Sequence, residues 1–163
     1  MRLHRLLPLA LTLAVTACGG SDNSATDPIT NGVESGVTNG SFSATINGTN
    51  WGAIGKVAVT RSGNIISVAA GSTSYVVAFG VGAATVAGVY PLTYQNPSGS
   101  IAIVTNTAGA GWSTAVSGGA GTLTITALTT THVAGTFVFD APPTTGTASG
   151  TLHVTNGKFD VTF

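Results

Sequence analysis

The chain has little charge and only one cysteine. Charged residues make up 6% of its 163 residues, with five basic against five acidic side chains and a formal net charge of zero. No basic patch is present for a nucleic-acid backbone, so we expect no nucleic-acid partner. The single cysteine, Cys18, excludes a disulfide framework within the chain. Any folded domain must therefore be held together by its hydrophobic core.

The N-terminus has the features of a secretory signal peptide. A basic head is followed by an apolar run, residues 6–15, which is too short to span a membrane. The run leads into Val15-Thr16-Ala17-Cys18, which resembles the lipobox of bacterial lipoproteins. The resemblance implies that residues 1–17 are removed and that Cys18 becomes a lipidated N-terminus, which would anchor the protein stably in a membrane.

The same resemblance predicts a location in the bacterial cell envelope. Gly19 follows the cysteine, where an Asp would resemble an inner-membrane retention signal. We therefore expect the outer membrane, with the protein facing the periplasm or the exterior. Residues 18–40 are rich in Gly, Ser, Asn and Thr without a regular period, which predicts a flexible tether. Residues 41–163 then form a single domain.

The end of the chain predicts a β-hairpin. Two alternating runs flank Asn156-Gly157, a pair that suits a two-residue type I′ turn. This turn would place His153 opposite Asp160 on the solvent face. The core face would carry Leu152, Val154, Phe159 and Val161, with Phe163 continuing it.

The start of the domain carries a second hairpin signal. Asn47-Gly48 predicts a turn that pairs Ala44 with Trp51 and Phe42 with Ala53. The core face would then contain Phe42, Ala44, Ile46 and Trp51.

Short β-branched runs fill the space between the two hairpins. They recur every 8 to 12 residues or so, without a helical period, which indicates an all-β protein. We expect an antiparallel meander of about 8–10 strands that forms a β-barrel or a β-sandwich. Pro91 within Gly-Val-Tyr-Pro-Leu indicates an edge strand or a bulge.

The order of these motifs carries a family resemblance. F-x-A-x-I-N-G-x-x-W, then G-V-Y-P-L-T-Y, G-T-L-T-I-T, G-T-F-V-F and T-N-G-K-F-D-V together resemble an uncharacterised group of small, Bacteroidetes-type bacterial lipoproteins. The resemblance extends over residues 41–163. Its motifs are turn and core positions, so it implies a fold and an anchor but no catalytic residues.

His153 opposite Asp160 is the candidate for chemistry. A histidine held by a carboxylate is part of a hydrolytic triad, but no nucleophile elbow accompanies it. With Asp140 and Asp160 as its only acids, the domain lacks a basis for glycoside hydrolysis. No ligand spacing predicts a metal site. We therefore expect a non-enzymatic domain without a cofactor, in which the pair lies on the surface.

Four aromatic residues, Trp51, Tyr90, Tyr94 and Trp112, form either part of the core or the lining of a ligand site. The core is the default for each of them. Small residues predicted to face inward, such as Ala69, fit a filled interior. We expect a binding or scaffold domain whose partner is an envelope protein, with a barrel that carries a small apolar ligand as the alternative.

Overall fold

The computed structural model describes residues 34–38, 40–55 and 57–162. This part of the chain contains thirteen strands and no helix. The strands are β1 (Glu34–Thr38), β2 (Gly40–Ile46), β3 (Thr49–Gly52), β4 (Val57–Ser62), β5 (Ile65–Gly71), β6 (Tyr75–Val81), β7 (Gly88–Pro91), β8 (Ile101–Asn106), β9 (Gly111–Ser113), β10 (Ala120–Leu128), β11 (His132–Ala141), β12 (Pro143–Thr145) and β13 (Leu152–Thr162). Consequently no helix suited to crossing a membrane is found in these residues.

The strands form two antiparallel sheets. Sheet A has seven strands in the order β1-β4-β5-β6-β8-β9-β12, and sheet B has six in the order β3-β2-β13-β11-β10-β7. Neighbours in sequence pair as in a meander through β4, β5 and β6, whereas β7 and β12 each lie in the other sheet from the strands on either side of them in sequence. The two sheets pack as a sandwich, which confirms the predicted all-β class. Pro91 ends β7, which is an edge strand of sheet B, as its missing N–H requires.

Phenylalanine side chains from both sheets fill the centre of the sandwich. Phe42, Phe137 and Phe159 come from sheet B, and Phe79 comes from β6 of sheet A. The ring centroids of Phe42 and Phe137 are 5.1 Å apart, and those of Phe79 and Phe159 are 5.0 Å apart. All four side chains are buried. Contacts of this kind stabilise aromatic pairs by about 0.5–1.5 kcal/mol beyond the effect of burial.

The hairpin predicted at Asn47-Gly48 is confirmed. Asn47 has a φ of 47° and Gly48 a φ of 81°, so both central residues adopt the positive values that a type I′ turn needs. Ala44 pairs with Trp51, and the amide of Ala53 donates to the carbonyl of Phe42. The predicted core face is buried.

The hairpin predicted at Asn156-Gly157 is wrong. β13 runs without a turn from Leu152 to Thr162 between β11 and β2. Asn156 has a φ of 52°, but Gly157 does not share the positive value, so the pair forms a β-bulge. The extra residue shifts the alternation by one position. This shift explains why the predicted core face is nevertheless correct for Leu152, Val154, Phe159 and Val161.

Several predictions concern residues outside the described ranges. They are the signal peptide (1–17), Cys18, most of the tether (18–40) and the orientation of Phe163. Within the predicted tether, the structure describes β1, whose backbone pairs with β4 as an edge strand of sheet A. The sandwich therefore includes a strand N-terminal to the predicted start of the domain at residue 41.

Candidate functional site

The outer face of sheet B carries two histidine–aspartate pairs. His153 Nδ1 lies 2.7 Å from Asp140 Oδ1, and His132 Nε2 lies 3.0 Å from Asp160 Oδ1. The predicted pairing of His153 with Asp160 is therefore wrong. The bulged strand β13 pairs with β11, so that His153 lies opposite Asp140 in the register. Asp160 lies opposite Ala134, which is two positions along β11 from His132 and on the same face of the sheet.

Both pairs lie on the surface and far from each other. The side chains of His153 and Asp140 are 61% and 54% exposed. His132 and Asp140 lie at opposite ends of β11, eight positions and about 26 Å apart. Among the described residues, no serine hydroxyl is hydrogen-bonded to either imidazole, so neither pair forms a Ser-His-Asp triad.

The acids and histidines do not converge on a metal site. Within the described ranges, no group of three or more His, Cys, Asp or Glu side chains is placed to hold a metal ion. The backbone of His153 is instead tied to the first hairpin, since its amide donates to Asn47 Oδ1 over 2.8 Å and its carbonyl accepts from the Asn47 amide. These two hydrogen bonds connect β13 to the turn between β2 and β3.

The two tryptophans belong to the core. Trp51 is 7% exposed, and its indole Nε1 donates to Ser72 Oγ over 2.7 Å. Trp112 is 8% exposed, and its indole Nε1 donates to the carbonyl of Gly150 over 3.1 Å. A buried indole N–H needs such an acceptor. Both indole N–H groups are therefore hydrogen-bonded within the domain, as expected for side chains that belong to the core.

The two tyrosines do not complete a ligand site with the tryptophans. Tyr90 is half-buried on β7 and donates to the carbonyl of Val86, whereas Tyr94 is 47% exposed in the loop after β7. Tyr94 therefore departs from the predicted core position, because the chain leaves β7 at Pro91 and the strand alternation stops. Trp51 and Tyr90 lie on opposite edges of sheet B, about 24 Å apart.

A hollow of about 290 Å³ lies on the outer face of sheet A. We call it the sheet A hollow; its outward lining includes Ala58, Ala69, Ala78, Gly80, Ile101 and Ile103. Ala58, Ala69, Ala78 and Ile103 are successive partners across β4, β5, β6 and β8. Small side chains on three strands beside isoleucines on the fourth leave this depression.

The sequence did not indicate the sheet A hollow. Ala69 was predicted to face inward, but Val68 and Ala70 are the buried residues and Ala69 faces outward. The apolar run Val68-Ala69-Ala70 has no alternation of polarity, so its orientation could not be read from the pattern. The only signal was the lack of charged residues at the outward positions of β4, β5 and β6.

A second hollow, of about 310 Å³, lies on the outer face of sheet B at the bulge. We call it the sheet B hollow; its lining consists of Ser43, Ala44, Thr45, Asn50, Trp51, Asn156 and Lys158. Five of these residues carry hydroxyl, amide or ammonium groups. The sheet B hollow is thus polar, whereas the sheet A hollow is mainly apolar.

The model of a domain of unknown function (DUF6252) matches residues 38–161, from the end of β1 almost to the end of β13. The chain belongs to the DUF6252 family. Searches of curated proteins and of solved structures each found no match.

The DUF6252 match confirms that the chain belongs to an uncharacterised family, as its motifs indicated. The matched region contains both hollows and both histidine–aspartate pairs. Because the family's function is unknown, the DUF6252 description assigns no activity to any of these residues. Functional inference therefore depends on the chemistry of the surfaces.

Proposed function

We propose that this DUF6252 protein is a membrane-anchored lipoprotein of the bacterial cell envelope, with a β-sandwich that acts as a non-catalytic binding domain. The observation that carries the binding function is the sheet A hollow, whose lining contains no charged residue. The lipobox-like sequence ending in Cys18 supports the anchor. The partner would be an envelope protein with a matching neutral, apolar surface.

The outer face of sheet A differs from that of sheet B in charge. Sheet B presents His132, Asp140, His153, Lys158 and Asp160 to solvent. Across β4, β5, β6 and β8, the outward side chains that the structure describes carry no charge. Desolvating such a face costs little, and contiguous exposed apolar surface marks interaction sites. Sheet A is therefore the face better suited to bind an apolar partner.

The interior of the sandwich does not suit the alternative of an enclosed ligand. The four central phenylalanine rings contact one another, and the described core side chains pack into a single cluster. A small apolar ligand would instead have to lie in the sheet A hollow. Its volume of about 290 Å³ is near the lower limit for small-molecule sites, so this version of the carrier function remains the second candidate.

The anchor is tested by partitioning between detergent and aqueous phases. The wild-type protein should enter the detergent phase, and Cys18→Ser should stay in the aqueous phase because it lacks the thiol that would be lipidated. If both proteins partition alike, the anchor is refuted.

The binding face is tested by crosslinking in the envelope with a matched pair of variants. Ile103 is 40% exposed in the sheet A hollow, and Val138 is 48% exposed on sheet B. Ile103→Glu should reduce crosslinked partner at least about tenfold, since an unpaired charge would be buried at the interface, whereas Val138→Glu should leave it unchanged. Equal effects of the two variants would contradict the proposal. A stoichiometric small molecule in native mass spectra, lost in Ile103→Glu, would favour the carrier instead.

A further inference from the structure

The bulge in β13 places an unusual number of polar side chains in one spot. Thr155 pairs with Thr45 and Lys158 pairs with Ser43, so two residues of β13, Asn156 and Gly157, lie opposite a single residue of β2. Gly157 is buried, whereas Asn156 is exposed together with Thr155 and Lys158. Three of four successive residues thus face outward, where a regular strand would present two.

The cation in the sheet B hollow has no counterion there. Lys158 forms no ion pair within the described residues, and no carboxylate lines the hollow. Asp160 follows two positions later on the same face, but its Oδ1 contacts His132. Asp140 is likewise held by His153. Among the described residues, no carboxylate therefore contacts the ammonium of Lys158, which can pair with an anionic group of a ligand.

The neutral polar groups around Lys158 are weakly engaged. Thr45 Oγ1 donates to Asn50 Oδ1 over 3.4 Å, and Asn156 Nδ2 donates to Thr45 Oγ1 over 3.4 Å. These distances are beyond the usual range for strong hydrogen bonds, so a ligand can redirect the groups at little cost. Together with the hydroxyl of Ser43, they can both donate to and accept from hydroxyl groups of a ligand.

From this lining we infer that the sheet B hollow binds a monosaccharide unit bearing one carboxylate, that is, a uronic acid. A single ammonium matches one negative charge, and the amides and hydroxyls match the hydroxyls of a sugar ring. The volume of about 310 Å³ suits a ligand of one ring rather than a longer segment. The site lies on the opposite sheet from the proposed partner surface, so it does not depend on that proposal.

The inference is tested by titrating the purified, ¹⁵N-labelled full chain and following amide chemical shifts. Sodium glucuronate should give saturable shifts at residues 43–45, 50 and 156–158. Glucose tests the need for the carboxylate, and acetate tests the need for the ring; each should bind at least about tenfold more weakly. A short oligouronate shows whether the natural ligand is the end of a polysaccharide or a free sugar acid. Tighter binding than that of glucuronate indicates a polysaccharide end, and equal binding indicates a free sugar acid.

Variants identify the groups responsible. Lys158→Gln should weaken glucuronate binding about tenfold, as expected when one charge-assisted hydrogen bond is lost. Asn50→Ala should weaken it severalfold. The matched control is Arg61→Gln, which removes a cation that donates to the carbonyl of Thr129, away from the hollow, and should leave the affinity within about twofold. Thermal melts of each variant check that it is folded.

The opposite results would overturn the inference. They are equal affinity for glucose and glucuronate, unchanged affinity in folded Lys158→Gln, an equal loss in Arg61→Gln, shifts that lie outside the hollow, or no saturable binding of glucuronate.

Discussion

Replacing Gly157 by alanine tests the bulge in β13 directly. A Cβ atom at this position would lie 2.3, 2.4 and 2.5 Å from three ring carbons of Phe137, against an ordinary carbon–carbon separation of about 3.5–4.0 Å. The ring cannot easily yield, because its centroid is 5.1 Å from that of Phe42 and 6.0 Å from that of Phe139. We expect Gly157→Ala to lower the free energy of unfolding by about 2–3 kcal/mol, the upper part of the range for overpacked cores.

The assay is urea unfolding followed by tryptophan fluorescence, with Gly52→Ala as the control. A Cβ at Gly52 meets no atom within 4 Å and its φ is not positive, so this variant should change the free energy of unfolding by no more than about 0.5 kcal/mol. In the double variant Gly157→Ala with Phe137→Leu, the smaller side chain should relieve the clash, so the two effects should not add. Additive effects, or a loss below about 1 kcal/mol in Gly157→Ala alone, would refute the bulge geometry.

Three further predictions concern other parts of the sandwich and use the same unfolding assay. Gly48→Ala should cost about 1 kcal/mol, because its φ of 81° is strained for alanine although the space is open; no loss would contradict the type I′ turn. Phe139→Ala should cost about 3–5 kcal/mol, since the side chain is 1% exposed, and a cost near zero would contradict its core position. His153→Ala should cost less than about 1 kcal/mol because its pair with Asp140 is exposed. Any hydrolase activity abolished by His153→Ala would count against a non-catalytic domain.

Much of the fold was predictable because strand alternation is a local property. The residues of the first hairpin could be assigned to faces from their own sequence, and the structure confirms this assignment. The predicted orientation was wrong at Ala69, because the run around it has no alternation of polarity. It was also wrong at Tyr94, because the strand ends at Pro91. The candidate sites were harder to predict, because each hollow is formed by side chains from three or more strands.

The sequence by itself determined the all-β class, the turn at Asn47-Gly48 and the inward positions of β13. Only the tertiary structure decided whether Asn156-Gly157 turns the chain or bulges it. A two-residue turn and a bulge both keep Leu152, Val154, Phe159 and Val161 on the core face. They give His153 different partners. Packing between β11 and β2 selects the bulge, and that choice places His153 beside Asp140 and opens the polar hollow around Lys158. Such choices depend on strands distant in sequence, so no local pattern encodes them.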